Sequence, residues 1–256
     1  MIDLHCHVLP GIDDGPATIE RSVGLARAAA SSGTRIIVAT PHVSWRYPNE
    51  ADTIARLTAQ LNDRLAADGV PIEVRAGAEI ALTRAAEIDP DQLTALRLGG
   101  GPWLLLEPPF TPIVTGLDGV VAELQTKGHR IVLAHPERCP AFHRDPQALE
   151  SLVSAGVLTS ITAGSLVGRF GGPVRRFAMR LIASGLVHNV ASDAHDVDRR
   201  PPGIAAELAR AGLEVNADWL TRAVPDAILS GKEIPPCPNP PALTTRRSRR
   251  RRWLRR

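Results

Sequence analysis

Cysteine is scarce in this chain of 256 residues, which contains only Cys6, Cys139 and Cys237. Three scattered cysteines do not make a disulfide framework, and their scarcity fits a reducing compartment. A thiol-based phosphatase loop requires a cysteine and an arginine with five residues between them. Only four residues separate Cys139 from Arg144, and Cys6 and Cys237 have no arginine at that spacing. We therefore expect no chemistry that depends on a thiol.

Long apolar runs are also missing, since no stretch of about 18 apolar residues occurs. The sequence therefore predicts no membrane-spanning helix, and His5 and His7 stand where the apolar core of an N-terminal signal would lie. The hydrophobic content of 44% is sufficient, at this length, for one large core. We expect a cytoplasmic protein with one folded domain over residues 1–234.

What the chain does contain is a regular alternation of short apolar runs and helix-like stretches. Residues 19–30 and 174–182 have the spacing of amphipathic helices. Glycines suited to end a helix follow such stretches at Gly33, Gly69, Gly128, Gly156 and Gly185. This alternation is typical of an α/β fold with parallel strands. Seven strands are predicted, at residues 2–4, 36–39, 72–76, 103–106, 131–134, 157–161 and 187–191.

Side chains that can bind metal follow most of these strands. Residues two apart in a strand share a face, so His5 and His7 should converge while Cys6 points away. The other candidates are Asp13 or Asp14, His42, Glu79, Glu107, His135, Asp193 and His195. Functional residues gather at the carboxyl ends of parallel strands. Because only a closed ring brings so many strand ends to one centre, we favour a (β/α)7 barrel over an open sheet.

The donor set consists of imidazoles and carboxylates without a required thiolate. It suits Mn²⁺, Zn²⁺ or Fe²⁺ and does not choose among them. The candidates are more numerous than one ion needs, so two or three ions are expected, with a carboxylate such as Glu79 or Asp14 able to bridge. Neighbouring ions activate water near neutral pH, which indicates a hydrolase.

Four motifs resemble those of the polymerase and histidinol phosphatase (PHP) superfamily. They are MIDLHCHVLPGIDDG at residues 1–15, ATPH at 39–42, AHPER at 134–138 and ASDAH at 191–195. Within that superfamily the chain looks like the bacterial manganese-dependent protein-tyrosine phosphatases encoded with capsule and exopolysaccharide synthesis. The resemblance extends over about residues 1–203. It implies a distorted seven-stranded barrel that holds three metal ions.

The resemblance also implies a role for each candidate. His5, His7, Glu79 and Asp193 would hold one ion; Glu79, as a bridge, with Glu107 and His135 a second; and Asp14, His42 and His195 a third. Asp14 is favoured over Asp13 by the family pattern alone. Arg138 and Arg200 would bind phosphate, with Arg199 as the competitor of Arg200; a guanidinium matches two phosphate oxygens. Mn²⁺ is the expected metal, with Zn²⁺, Fe²⁺ and Co²⁺ as alternatives.

The implied activity is hydrolysis of phosphotyrosine, on a membrane-associated bacterial tyrosine kinase that controls capsule or exopolysaccharide synthesis. A PHP phosphatase of a small ester such as histidinol phosphate and a PHP exonuclease are the alternatives, and a non-catalytic binding module is a further one. The chain departs from the family pattern at residues 43–49 and at Ala81, where the family usually has arginine. These departures bear on substrate preference and leave the metal candidates intact.

The last residues differ in composition from the rest. Residues 235–241 are rich in proline, and residues 246–256 contain eight arginines together with Trp253 and Leu254. Without those eight, 22 basic residues stand against 27 acidic ones, so the body carries about −5 although the whole chain carries +3. A disordered solvated tail, attraction to an anionic membrane surface and nucleic-acid binding are the three readings. Membrane attraction would place the protein at the inner face of the plasma membrane.

Overall fold

The computed structural model describes residues 1–239. The prediction for the Arg-rich segment at 246–256 therefore lies outside the described residues. The strands of the described part are β1 Ile2–Cys6, β2 Ile36–Ala39, β3 His42–Val43, β4 Glu73–Ala76, β5 Glu79–Ala81, β6 Trp103–Glu107, β7 Arg130–Ala134, β8 Leu158–Thr162 and β9 Asn189–Ala191.

Helices alternate with these strands, as the amphipathic spacing predicts. They are α1 Ile19–Ser31, α2 Ala51–Ala67, α3 Leu82–Ala85, α4 Pro90–Ala95, α5 Leu117–Thr126, α6 Pro140–Arg144, α7 Pro146–Ser154, α8 Ala163–Leu166, α9 Gly172–Ala183, α10 Ile204–Ala211 and α11 Val224–Ser230. The five predicted terminal glycines each lie just past a helix and have positive φ, between 64° and 94°. Among residues 1–239, no helix has the length and apolar character that crossing a bilayer needs.

All seven predicted strands are present, with boundaries that differ by at most two residues. The strands are parallel and form a three-stranded sheet in the order β1-β2-β4 and a six-stranded sheet in the order β3-β5-β6-β7-β8-β9. This arrangement confirms the α/β class. The structure has nine strand segments where the sequence predicts seven strands.

The two additional segments, β3 and β5, each resume a predicted strand after a break of two residues. Thr40 and Pro41 separate β2 from β3, and the proline has no N–H for a ladder hydrogen bond. Gly77 and Ala78 separate β4 from β5. A Cβ atom at Gly77 would lie 2.8 Å from Cγ1 of Val38, so any other residue there would require its surroundings to shift.

The first and last strands also meet. The amide of Asp193 donates to the carbonyl of His5 at 2.8 Å, and the amide of His7 donates to the carbonyl of Ala194 at 2.9 Å. Cys6 and Ala194 form a parallel bridge. The carboxyl end of β1 is thereby joined to the segment that follows β9.

The strands separate two apolar cores. The larger core lies between the sheets and the helices and includes Phe142, Phe177 and the buried face of α1. The smaller core lies on the other face of the strands, where α11 packs. Its buried members are Ile2, Leu4, Val38, Leu98, Trp103, Leu105, Val132, Ala134, Leu158, Val224, Ile228 and Leu229.

Candidate metal centre

The nine side chains predicted as metal ligands converge at the carboxyl ends of the strands. Each belongs to at least one group of three or more donors whose ligand atoms lie within 4.8 Å of one another. Most of them are buried, whereas His42 and Glu107 are partly exposed and Asp14 is half exposed. The members are His5, His7, Asp14, His42, Glu79, Glu107, His135, Asp193 and His195.

His5 and His7 point to the same place, as their spacing predicts. Their Nε2 atoms are 3.2 Å apart, while Cys6 packs in the larger core. Ile2 and Leu4 face the smaller core, so the strand changes face between Leu4 and Cys6. The pairing of β1 with β2 is irregular over that stretch, which turns both histidines toward the centre.

The first predicted group brings two imidazole nitrogens close to two carboxylate oxygens. Nε2 of His5 and Nε2 of His7 each lie 3.3 Å from Oε2 of Glu79 and 3.5 Å from Oδ1 of Asp193. Ligands bonded to a metal at about 2.0–2.1 Å in a tetrahedral arrangement are about 3.3 Å apart. The distance between the two nitrogens and their distances to the two oxygens are therefore close to the separation expected of ligands on one ion.

Glu79 faces two sides of the cluster with its two oxygens. Oε1 lies 2.7 Å from Nε2 of His135, and Oε2 lies 3.0 Å from Nδ1 of His42. Glu107 reaches the same region, 3.8 Å from His135 and 3.9 Å from His42. The residues of the second predicted set therefore lie close together. His42 lies between them and the third predicted set.

The third predicted set, Asp14 with His42 and His195, is also assembled. Oδ1 of Asp14 lies 3.3 Å from Nε2 of His195 and 3.5 Å from Nε2 of His42. His7 joins this group as well, with Nδ1 at 4.0 Å from the same oxygen. The close contact with His195 keeps the pKa of the Asp14 carboxyl well below its usual range.

Asp13 and Asp14 have different surroundings in the structure, although physical reasoning from the sequence does not separate their roles. Oδ2 of Asp13 lies 2.7 Å from Nδ1 of His7 and accepts the backbone N–H of His42 at 3.1 Å. Its Oδ1 accepts the N–H of Gly15, where a side chain would approach the carbonyl of His7 to 2.4 Å. Asp13 therefore orients His7 from behind, in the manner of carboxylates that hold ligand histidines.

Two members of the cluster have backbone conformations that are rare for residues with side chains. His135 has φ of 29° and Asp193 has φ of 50°. Hydrogen bonds hold both, since the amide of His135 donates to the carbonyl of Ser160 at 2.7 Å and that of Asp193 to His5. Such strain costs about 1–3 kcal/mol per residue and is typical of functional sites.

The pKa values of the carboxylates in the cluster depend on burial and on the charged groups around them. Burial alone would raise the pKa values of Glu79 and Asp193, but His5 and the other histidines hold both well below the usual range. Glu107 behaves in the opposite way, because burial and the charge of Glu79 raise its pKa to about 8. Glu79 and Asp193 are therefore anionic at neutral pH.

The donor chemistry fits divalent cations. Oε2 of Glu79 is fully buried and has no hydrogen-bond partner among residues 1–239, although three histidine rings surround it. A buried anionic oxygen without such a partner is costly unless a cation satisfies it. Imidazole and carboxylate ligands suit Mn²⁺, Zn²⁺ or Fe²⁺.

Arg138 and Arg200 both lie at the edge of the cluster. Nη1 of Arg138 donates to Oδ2 of Asp193 at 2.6 Å, and Nη2 of Arg200 contacts the same oxygen. Nη1 of Arg200 donates to Nε2 of His195 at 2.9 Å, and its buried Nε makes no hydrogen bond within residues 1–239. The side chain of Arg199 is exposed, so Arg200 is the arginine that the structure brings to the centre.

Several residues around the centre are not singled out by the sequence. Buried Asp3 accepts hydrogen bonds from the amide and hydroxyl of Ser192, next to Asp193. Glu137 is buried, accepts from Thr162 and Ser165, and has a pKa raised by burial to about 7. A charged residue inside an apolar strand, as at Asp3, is the one signal that could reveal this support.

Comparison with known proteins shows similarity over most of the chain. The family profile for capsular polysaccharide synthesis, CpsB/CapC, matches residues 1–222. Tyrosine-protein phosphatase YwqE of Bacillus subtilis is 40% identical over 201 residues, 78% of this chain and 79% of that protein. The putative tyrosine-protein phosphatase CapC of Staphylococcus aureus is 33% identical over 202 residues, 78% of this chain and 79% of its own.

Similarity extends to a solved structure. It comes from work on YwqE of Bacillus subtilis and CpsB of Streptococcus pneumoniae, described as unique metal-dependent tyrosine phosphatases. That chain superimposes with a TM-score of 0.84 at 35% identity, covering 94% of this chain and 98% of the other. The fold is therefore shared with a protein described as a metal-dependent tyrosine phosphatase.

Proposed function

This chain belongs to the CpsB/CapC family of capsular polysaccharide synthesis, and from that premise we propose that it is a metal-dependent protein-tyrosine phosphatase. The relatives that carry this activity in their names match most of the chain. The observation that carries the proposal is the first donor group, His5, His7, Glu79 and Asp193, with two arginines contacting its aspartate.

We further propose that the strands form a distorted seven-stranded barrel of the PHP type. β2 with β3 and β4 with β5 would each count as one interrupted strand. The hydrogen bonds between β1 and residues 193–194 would then complete the ring. The breaks at residues 40–41 and 77–78 supply the distortion, and they allow His42 and Glu79 to lie at the centre.

We propose three metal positions, which the donor groups support. His5, His7, Glu79 and Asp193 would hold the first ion, Glu79 with Glu107 and His135 the second, and Asp14, His42 and His195 the third. We propose Mn²⁺ as the native metal. When bound, the ions supply Lewis-acid activation of water and of the phosphoryl group.

The role of Arg138 and Arg200 is to bind the phosphate and to stabilise the charge that develops on its oxygens. A guanidinium stays protonated at every relevant pH and can pair with two oxygens. Both side chains lie beside Asp193 with one edge partly open to solvent. A tyrosyl leaving group has a pKa of about 10, so its departure needs little help from a general acid.

The decisive experiment compares three substrates on the metal-loaded protein: a phosphotyrosine peptide, histidinol phosphate and single-stranded DNA. We expect the phosphotyrosine peptide to have the highest kcat/KM. Preferred hydrolysis of histidinol phosphate would identify a phosphatase of small esters, and DNA degradation would identify an exonuclease. Either result would contradict the proposed function.

We propose a cytoplasmic phosphatase that acts on a membrane-associated tyrosine kinase, with the arginines of residues 246–256 drawn to anionic lipid. Each basic residue near such a surface contributes about 1 kcal/mol to membrane binding.

The segment before the tail is attached to the folded domain. Trp219 Nε1 donates to the carbonyl of Pro235 at 2.8 Å, and Asn216 Nδ2 donates to the carbonyl of Asn239 at 3.2 Å. A truncation is therefore best made after Asn239.

Binding of the whole and truncated chains to vesicles with anionic lipid, and their turnover of a soluble phosphopeptide, test the role of the tail. We expect truncation to remove salt-sensitive vesicle binding and to leave peptide turnover unchanged. Loss of peptide turnover in a folded truncation would show that the tail takes part in the reaction.

A further inference from the structure

Aromatic side chains are rare in this chain, at 4% of its residues, yet three of them contact residues of the proposed centre. Tyr47 stacks on His42, and Phe110 and Phe170 flank Arg138. None of the three is a proposed ligand or phosphate-binding group.

Phe110 is the aromatic residue that joins the proposed ligands to the proposed phosphate-binding group. Its ring lies 5.5 Å from that of His135, with an angle of 19° between the planes. The guanidinium carbon of Arg138 lies 5.1 Å from the centre of the Phe110 ring. Phe110 is 47% exposed, so nearly half of a large apolar side chain remains available beside the centre.

Phe170 contacts the same guanidinium from the loop between α8 and α9. The guanidinium carbon of Arg138 is 4.3 Å from its ring centre, and that of Arg200 is 5.9 Å away. Cation–π contacts at these distances hold guanidinium groups in place. Phe170 thus supports the two arginines, whereas Phe110 has exposed surface left for a ligand.

We propose that Phe110 determines specificity by packing against the aromatic ring of the phosphotyrosine substrate. The inference rests on the proposed function. A phosphate paired with Arg138 brings the group on its ester oxygen next to the Phe110 ring. An aryl group there gains contact with an aromatic face, and an alkyl group of one or two carbons does not.

Tyr47 is the competing aromatic face and also provides a matched control. Its ring stacks on His42 at 5.6 Å with an angle of 9°, much as Phe110 stacks on His135. Its cation contact is with Arg46 and not with the proposed phosphate-binding arginines. Tyr47→Ala therefore removes an aromatic ring that stacks on a proposed ligand histidine, as Phe110→Ala does, but it does not alter the surroundings of Arg138.

Competitive inhibition by two phosphonates tests the proposal without depending on the leaving group. Phenylphosphonate and methylphosphonate share the charged group and differ in the ring. We expect Phe110→Ala to weaken inhibition by phenylphosphonate about three- to tenfold and to leave methylphosphonate nearly unchanged. The variant should also raise KM for a phosphotyrosine peptide more than it lowers kcat, with metal content by elemental analysis equal to that of the wild type.

Two controls accompany this measurement. Ile113→Ala removes an exposed apolar side chain from the same loop and should change neither inhibition constant. Equal weakening of both phosphonates by Phe110→Ala, or a larger loss of phenylphosphonate binding in Tyr47→Ala, would overturn the proposal. Absence of phosphotyrosine turnover in the wild type would instead refute the proposed function, while the ratio of the dissociation constants of the two phosphonates, measured by direct binding, still tests Phe110.

Discussion

The two ends of the parallel strands bury different kinds of side chain. At the carboxyl ends, histidines, aspartates and glutamates are packed together and most of them are buried, and the backbone of His135 and Asp193 is strained. Toward the amino ends, the same strands contribute Ile2, Trp103 and Leu158 to the smaller core, against which α11 packs. One end is therefore built for chemistry and the other for stability.

This difference explains how the fold tolerates its charged cluster. Grouped carboxylates and imidazoles with unsatisfied donors and acceptors are costly to bury. A well-packed apolar region on the same strands offsets that cost without restricting the positions of the ligands. Changes at the carboxyl end should thus alter metal binding and turnover, and changes at the amino end should alter the free energy of unfolding.

The largest effect is expected from removing a proposed ligand at the carboxyl end. His5→Ala or Asp193→Ala should lower metal content and reduce turnover by more than the ~10–100-fold typical of an outer-shell partner.

EDTA should abolish hydrolysis by the wild type and Mn²⁺ should restore it. Iodoacetamide and Cys139→Ser should have little effect, because Cys139 is buried and burial raises its pKa. Inactivation by alkylation but not by chelation would contradict the metal assignment.

Arg138→Ala should give the next largest effect and separates phosphate binding from metal binding. We expect kcat to fall by about 10²–10³-fold, the scale for removing one preorganised donor, with metal content unchanged. Elemental analysis alongside steady-state kinetics distinguishes this variant from the ligand variants. Loss of metal from Arg138→Ala would show that the arginine positions Asp193 instead.

At the opposite end, Ile228→Ala tests whether the smaller core carries stability alone. Ile228 is fully buried on α11, and removal of such a side chain costs about 2–5 kcal/mol. Urea denaturation should show this loss, while kcat/KM at temperatures below unfolding should stay within a factor of about two of the wild type. A strong fall in kcat in the folded variant would mean that the two ends are coupled.

The smallest effect is expected from His188, which directly precedes β9 and accepts the backbone N–H of Thr159. Burial lowers its pKa from 6.5 to about 4. The unfolded chain therefore binds a proton that the folded chain does not, and stability is lost as pH falls from about 6.5 toward 4. This loss amounts to about 2 kcal/mol between pH 7 and 4.5.

His188→Gln should make the free energy of unfolding less dependent on pH over that range. Both proteins are measured in EDTA, so that protonation of the metal ligands affects them equally. An unchanged difference between pH 7 and 4.5 would show that His188 is not responsible for the acid sensitivity.

Residue types and spacing were sufficient to predict the strand positions and the candidates for the centre. His-x-His at the end of β1 could be recognised because side-chain direction alternates along a strand. Glu107, His135 and Asp193 could be recognised because they end or closely follow β6, β7 and β9. The same reasoning could not predict β3 and β5, since two- and three-residue strands after a break leave almost no periodic pattern. Their ligands, His42 and Glu79, were recognisable by residue type and by their position three residues after the predicted strands at 36–39 and 72–76.

The sequence by itself determined which donors this chain possesses, their order, the α/β class and the family to which it belongs. Only the tertiary structure decided that Asp13 orients His7 while Asp14 faces the cluster, and that Arg200 reaches Asp193 while Arg199 faces solvent. It also placed Phe110 beside Arg138. The direction in which two adjacent side chains point depends on loop geometry and on hydrogen bonds with distant strands. Spacing along the chain does not encode either of these.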